Sequence, residues 1–242
     1  MESGATTLRS SNADCTLVIM AKAPRPGMVK TRLMQSLPVE AVTDLYRCLL
    51  SDTVTLARSL RGVKVAIMCP ASDVTELTQL ADVAVDIVAQ QGLGLAAGLT
   101  SVFAHFTASG EQRVVAFNSD SPHLPASVLN RAFETLSTHN VVVGPTHDGG
   151  YYLVGAHAAH AELFHRDGMG TGSALDTLLA RAGRLQLSVG FTDPFYDIDV
   201  HGDLTRLAGE LLLAPSRAPR TAAWLKRWQG VIPPVQNVRG DL

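Results

Sequence analysis

Short apolar runs alternate along this chain with longer segments whose apolar residues recur every three or four positions. The runs at 16–21, 63–69, 83–88, 113–118, 140–144 and 151–155, with a later one near 185–191, predict β-strands. The clearest helical face is Val42, Leu45, Tyr46, Leu49, Leu50, Thr53, Val54, Ala57 and Leu60, and Arg61-Gly62 predicts its end. Further helices are predicted at 93–107, 125–138, 173–182, 202–213 and 218–228, with Pro125 suited to a first helical turn. Strands alternating with helices predict an α/β fold whose mostly parallel sheet is covered on both faces. Residues 1–13 read as a disordered tail and 230–242 as a C-terminal tail, which leaves a single domain over 14–229. No internal repeat or interdomain linker stands out.

Composition narrows the function classes. Hydrophobic residues make up 46% of the 242, enough for a sizeable core, and charged residues only 17%. A net charge of -2 argues against a general nucleic-acid binder, which carries a broad basic face. Cys15, Cys48 and Cys69 are widely spaced, form no metal pattern and are odd in number. With no apolar secretory leader in the first residues, they point to a reducing, cytoplasmic setting. No apolar run approaches the length of a membrane span.

Against that near-neutral balance, one stretch is conspicuously cationic. Between Asp14 and Glu40 there is no acidic residue, while Lys22, Arg25, Lys30 and Arg32 all fall inside the window. Pro24, Pro26 and Gly27 bend the connection, so it neither continues the strand nor begins a helix at once. Backbone N–H groups, a following helix start and cationic side chains favour an anion, and arginine can grip two phosphate oxygens at once. The expected occupant is a phosphate-rich ligand; a solvated surface loop is the alternative. Neither the Walker A spacing nor G-x-G-x-x-G is present.

Acids and polar turns fall at the ends of later strands. The run Val114–Asn118 leads into Ser119-Asp120-Ser121-Pro122, which places Asp120 where open α/β sheets bind ligands and where a phosphate-bound Mg2+ or Mn2+ would sit. A turn or cap role is the competing reading for Asp120. Asp197 and Asp199 point the same way in an extended segment and are candidates to complete the metal shell, or they form an acidic loop before a helix. Asp148-Gly149-Gly150-Tyr151 reads either as a substrate-binding turn or as a hairpin with Asp-Gly at its corner. Gln90-Gln91-Gly92 joins a strand to a helix and offers glutamine amides that can read a base edge, or it is a plain βα loop.

Together these segments resemble the GT-A-type nucleotide-dependent transferases. The marks are Ala21-Lys22-Ala23-Pro24 through Lys30-Thr31-Arg32-Leu33, Gln91-Gly92-Leu93-Gly94, Ser119-Asp120-Ser121-Pro122, Gly144-Pro145 with Asp148–Leu153, and Asp197-Ile198-Asp199. The chain looks most like a bacterial branch labelled glycosyltransferase and tied to arsenosugar biosynthesis. That branch is similar in turn to the guanylyltransferases of phospholactate and molybdenum-cofactor metabolism. The resemblance implies a Rossmann-like three-layer GT-A (nucleotide-diphospho-sugar transferase) fold. It implies nucleotide-phosphate binding by Lys22, Pro24, Gly27, Lys30 and Arg32, base contacts from Gln91 and Gly92, and metal binding by Asp120 and Asp199, with Asp197 beside them. It places Asp148, Gly149, Gly150 and Tyr151 on the acceptor side, and casts Lys30, Arg32 and Asp120 as the catalytic set.

Nucleotidyl transfer from an NTP to a small phosphorylated or hydroxylated acceptor is the expected reaction, because a triphosphate asks for more cations than a nucleotide diphosphosugar. Glycosyl transfer is the alternative. The chain departs from the family pattern at Leu95-Ala96-Ala97-Gly98 and at Met169–Ser173, and these departures keep a non-catalytic nucleotide-binding regulator open. A phosphatase with Asp120 as nucleophile is disfavoured, because Leu17–Ala21 carries no acid.

Overall fold

In a computed structural model of the chain, residues 14–80, 85–164 and 173–230 are described. The sheet has seven strands: β1 (Cys15–Met20), β2 (Lys64–Cys69), β3 (Asp86–Ala89), β4 (Arg113–Asn118), β5 (Val141–Pro145), β6 (Tyr151–Ala156) and β7 (Val189–Phe191). Their spatial order is β3-β2-β1-β4-β6-β5-β7. All neighbours are parallel except β6, which runs antiparallel to both β4 and β5. The helices are α1 (Val39–Arg58), α2 (Val74–Leu80), α3 (Gly94–Ala108), α4 (Ala126–Thr135), α5 (Ala174–Arg184), α6 (His201–Leu213) and α7 (Pro219–Arg227). Among the described residues no helix is long and apolar enough to cross a membrane.

The layers follow from side-chain alternation along buried strands. Leu17, Ile19, Val115 and Phe117 face one side, where Leu50 and Ala57 of α1 and Leu129 and Phe133 of α4 cover them. Val18, Val114 and Ala116 face the other side, against Leu99, Val102 and Phe103 of α3 and Leu178 of α5. This is the expected three-layer arrangement. The remaining face of α1, including Leu45 and Leu49, buries Leu204, Leu207 and Trp224 of α6 and α7. The last two helices thereby clamp α1.

Some elements differ from the expectations. The β5–β6 connection is a tight hairpin in which Thr146 N–H donates to the Gly150 carbonyl (3.0 Å), so β6 must run antiparallel. The late strand shrinks to Val189–Phe191. Leu187 N–H caps the end of α5 by donating to Ala182 O, and Gln186 sits in the left-handed region (φ 55). Helix α2 and a 3-10 turn at Thr31–Gln35 are additions. The third strand starts at Asp86; residues 83 and 84 of the expected run lie outside the described residues, as does most of Met169–Ser173.

Just beyond β4, His123 is fully buried between Phe195 and Tyr196. Among the described residues neither of its ring nitrogens has a hydrogen-bond partner. Burial, with help from the Arg217 and Arg206 charges, pulls its pKa down to about 3. A depressed histidine pKa contributes stability above the unfolded-state value near 6.5, and that stability is lost as pH falls, at about 1.4 kcal/mol per pH unit. His123→Leu removes no hydrogen bond, so the variant is expected to match or exceed the parent's stability at pH 7. Melting curves between pH 7 and 4.5 should fall less steeply for the variant. Parallel slopes would show that His123 is not neutral in the native state.

Candidate functional site

The cationic stretch leaves β1 as a pinned loop. Ala21 N–H still donates to Met68 O of β2 (3.1 Å), after which the chain turns away from the sheet. Lys22 N–H donates to the Tyr46 hydroxyl (3.1 Å), and Ala23 N–H donates to Asp73 Oδ2 (2.8 Å). Arg25 folds back onto Asp73 Oδ1 (2.7 Å) and Glu76 Oε2 (2.9 Å), so this cation braces the loop and does not enter the cleft. Its partners hold Asp73's carboxyl below the usual range despite the opposing effect of burial. Gly27 turns the chain with φ +76, and Lys30 follows in the left-handed region at φ 48, ψ 43.

That turn delivers Lys30 to the acids. Its Nζ lies 2.7 Å from Asp120 Oδ2 and 2.8 Å from Asp199 Oδ1. Burial works against the ammonium, but the two carboxylates outweigh it and hold Lys30 above the ordinary lysine range. Arg32 Nη1 reaches Asp199 Oδ2 at 3.4 Å from an exposed position. Asp120, Asp197 and Asp199 each offer a carboxylate oxygen, and these oxygens lie within 4.8 Å of one another. Asp197 has its carboxyl pushed up to about 6, chiefly by burial and further by the other two carboxylates, with Lys30 opposing.

The segments carrying these acids are tied together. Ser121 Oγ donates to Tyr196 O (2.9 Å), and Phe195 N–H donates to Pro145 O (3.0 Å), which lays 195–199 alongside the ends of β4 and β5. Asp203 Oδ2 accepts from the N–H groups of Asp199 (2.9 Å) and Val200 (2.8 Å), fixing Asp199 at the start of α6. Tyr46 joins loop and strand by sharing its hydroxyl with Ser119 Oγ (3.1 Å).

A cleft of about 610 Å3 opens here, lined by Lys22, Met28 to Arg32, Tyr46, Gln90, Leu93 to Leu95, Ser119, Asp120 and Asp199. It lies beyond the C-terminal ends of β1, β2 and β4, the ligand position of open α/β sheets. The sequence-expected Lys22, Lys30, Arg32, Asp120 and Asp199 meet in it. Others do not line it. Pro24 faces a separate cavity of about 160 Å3 under α1, and its carbonyl accepts from Arg47 (3.4 Å). Gly27 shapes the turn ahead of the wall formed by Met28 to Arg32. Gln91 lines a different cavity, with its backbone held by Ser101 Oγ (2.8 Å), while Gln90 faces the cleft with its amide spent on Gly92 O (3.0 Å) and Gly94 O (3.3 Å). Gly92 is required by its φ of +78.

Asp148 accepts from Thr146 Oγ1 and from Gly150 N–H (3.2 Å), so its carboxylate stitches the Asp148-Gly149 hairpin. A Cβ at Gly150 would meet Thr146 Oγ1 at 2.8 Å, and Tyr151 packs against the α3–α5 face of the core. Arg32 nevertheless helps to lower the Asp148 pKa, behind the Thr146 hydrogen bond, so the hairpin lies within electrostatic reach of the cleft. Residues missed in the sequence include Tyr46, Asp73 and the exposed apolar rim of Met28, Leu93 and Leu95. Only the rim left a signal, as apolar residues in turn-forming loops.

This fold is that of the GT-A-type nucleotide-dependent transferases. A protein from Desulfovibrio desulfuricans G20, provisionally named a nucleotide-diphospho-sugar transferase, superposes with a TM-score of 0.83 at 26% identity, covering 90% of this chain and 96% of that one. A nucleotidyl transferase from Methanothermobacter matches at 0.57 and 18% identity over 83% of this chain and 99% of its own. The 4-diphosphocytidyl-2C-methyl-D-erythritol synthase of Anaerococcus prevotii DSM 20548 matches at 0.51 and 12% identity over 90% and 98%. The family model described as an uncharacterized protein conserved in bacteria (DUF2064) matches residues 53–171, a span that includes Asp120 and the Asp148 hairpin but neither Lys30 nor Asp199. No curated protein matches the chain.

Asp73→Ala removes the acceptor of Ala23 N–H and one of the two carboxylate partners of Arg25 while leaving the cleft acids in place. We expect a stability loss of about 1–3 kcal/mol and faster amide hydrogen exchange across residues 21–30. Unchanged exchange there would show that the loop is held by other contacts.

Proposed function

We propose that this chain is a metal-dependent nucleotidyltransferase, moving a nucleotidyl group from an NTP to a small phosphorylated or hydroxylated acceptor with release of pyrophosphate. The observation that carries the reading is one cleft in which Lys30 and Arg32 meet the carboxylates of Asp120 and Asp199 and which Lys22 also lines. Cations alone would suit many anions, and acids alone many cations. The two sets facing each other suit a polyphosphate that arrives with a divalent ion.

The residues fit such an ion. Three aspartates supply hard oxygen donors, and the ammonium seated between two of them shows that the site holds positive charge. Asp120 and Asp199, with Asp197, would hold Mg2+ or Mn2+. The bound ion would neutralise phosphate charge and polarise the α-phosphate. The chain's own part is positioning and charge. Lys22 and Arg32, exposed at the mouth, bind the β- and γ-phosphates, and the Asp73–Arg25 brace keeps their loop in place. The Met28, Leu93 and Leu95 rim shelters the reacting phosphate from water. An acceptor phosphate oxygen, or a hydroxyl oxygen whose proton passes to the departing pyrophosphate, attacks the α-phosphorus. The bond to the bridging oxygen breaks, and pyrophosphate departs with the electron pair toward the cations. No protein nucleophile is needed. The acceptor enters from the side of the Asp148–Tyr151 hairpin.

Glycosyl transfer from a nucleotide diphosphosugar is the second reading, favoured by the name of the Desulfovibrio relative. The protein should be incubated with each NTP and each nucleotide diphosphosugar in a small-metabolite extract. Pyrophosphate release from an NTP supports the proposal, whereas nucleoside diphosphate release from a nucleotide diphosphosugar alone reverses it. Asp120→Asn should lower the productive rate on the order of a hundredfold or more. An unaffected rate would remove Asp120 from the reaction.

A further inference from the structure

We propose that Lys30 and a divalent cation occupy the Asp120–Asp199 site in turn, so that metal binding unseats Lys30 and delivers its ammonium to the nucleotide phosphates. The inference rests on the metal-dependent reading above and adds an order of events to it.

The geometry sets up a competition. Lys30 uses Asp120 Oδ2 (2.7 Å) and Asp199 Oδ1 (2.8 Å), both members of the trio that offers oxygens to an ion. The carboxylates have further lone pairs, but an ammonium and a divalent ion held on the same oxygens repel one another as like charges at close range, so the two compete for the site. Lys30 is also the innermost partner. Its side chain is 6% exposed, while those of Asp120 and Asp199 are 20% and 42% exposed, so the acids remain open to the cleft on a side that the lysine does not fill. Ammonium–oxygen contacts near 2.8 Å are also longer than the roughly 2.0–2.1 Å bonds of Mg2+. The lysine therefore holds the carboxylates wider apart than the ion would.

Lys30 has somewhere to go. It stands in a left-handed turn at φ 48, between the Gly27 bend and the Thr31–Gln35 3-10 turn, on the wall shared with Arg32. A four-carbon side chain leaving the trio enters the same cleft and joins Lys22 and Arg32 there. Without metal, the lysine quenches the acids and is withheld from phosphate. With metal, the acids are occupied and one more cation is available. Metal binding and polyphosphate binding are thus coupled through one side chain, and by linkage each strengthens the other.

The exchange can be followed in the unaltered protein. Lys30 amine acylation, read by mass spectrometry, should be slow without metal. It should rise several-fold at Mn2+ saturation without nucleotide, with saturation established by electron paramagnetic resonance and exposed Lys64 and Lys226 unchanged. Continued protection of Lys30 with Mn2+ bound would overturn the proposal. Lys30→Met should bind Mn2+ at least tenfold more tightly than the parent, and should gain more melting temperature from it. Equal or weaker binding would overturn the exchange. If Mn2+ then still binds both proteins and Asp120→Asn weakens it, the metal site stands and only the exchange fails. If Mn2+ binds neither protein, the metal-dependent reading fails together with it.

Discussion

The ammonium of Lys30 seated between Asp120 and Asp199 is the contact on which the site is organised. Those carboxylates come from the end of β4 and the start of α6, and the lysine from the loop after β1. Three carboxylates within 4.8 Å repel one another in a half-buried setting. A positive charge between them offsets that repulsion where the loop after β1 meets the end of β4 and the start of α6. The chain supplies one from within, and holds it with burial that would otherwise expel a lysine's charge.

Much of the surrounding structure keeps that contact in register. Asp73 and Arg25 hold the loop from one side and Tyr46 holds it from the other. Ser121 ties the β4 turn to Tyr196, and Asp203 caps the helix that begins after Asp199. Helices α6 and α7 anchor that late segment by burying Leu204, Leu207 and Trp224 against α1. Tyr46, Ser121 and the apolar clamp are neutral and Arg25 is spent on Asp73 and Glu76, which leaves Lys22, Lys30 and Arg32 as the cations that line the cleft. The resulting surface offers Lys22 and Arg32 at its mouth and the Asp120 and Asp199 carboxylates beside the buried Lys30 ammonium.

The sheet was legible wherever strands are continuous apolar runs. The run 113–118 is β4 to the residue, because its interior, Val114–Phe117, is buried on both faces and wholly apolar, with Arg113 and Asn118 marking its ends. The cationic loop was legible from an acid-free window, but the division of labour within it was not. Arg25 looks like Lys22 in sequence, and its brace to Asp73 spans 48 residues. Which glutamine faces the cleft turns on a one-residue phase at the end of β3, and composition carries no trace of it. Gln90 and Gln91 accordingly exchanged places. The Asp148-Gly149 turn offered a hairpin and a substrate loop with equal chemistry. The hydrogen bonds of Thr146 and Gly150 settle the hairpin's shape, and that shape makes β6 antiparallel in an otherwise parallel sheet.

We propose that the basic loop and the acidic trio hold one metal–polyphosphate complex. A crystal of the protein grown with Mn2+ and a non-hydrolysable NTP, measured at the manganese absorption edge, tests it most directly. The expected result is one anomalous peak bonded to Asp120 and Asp199, with the β- and γ-phosphates against Lys22 and Arg32. A nucleotide bound elsewhere, or manganese bound away from these aspartates, would contradict it.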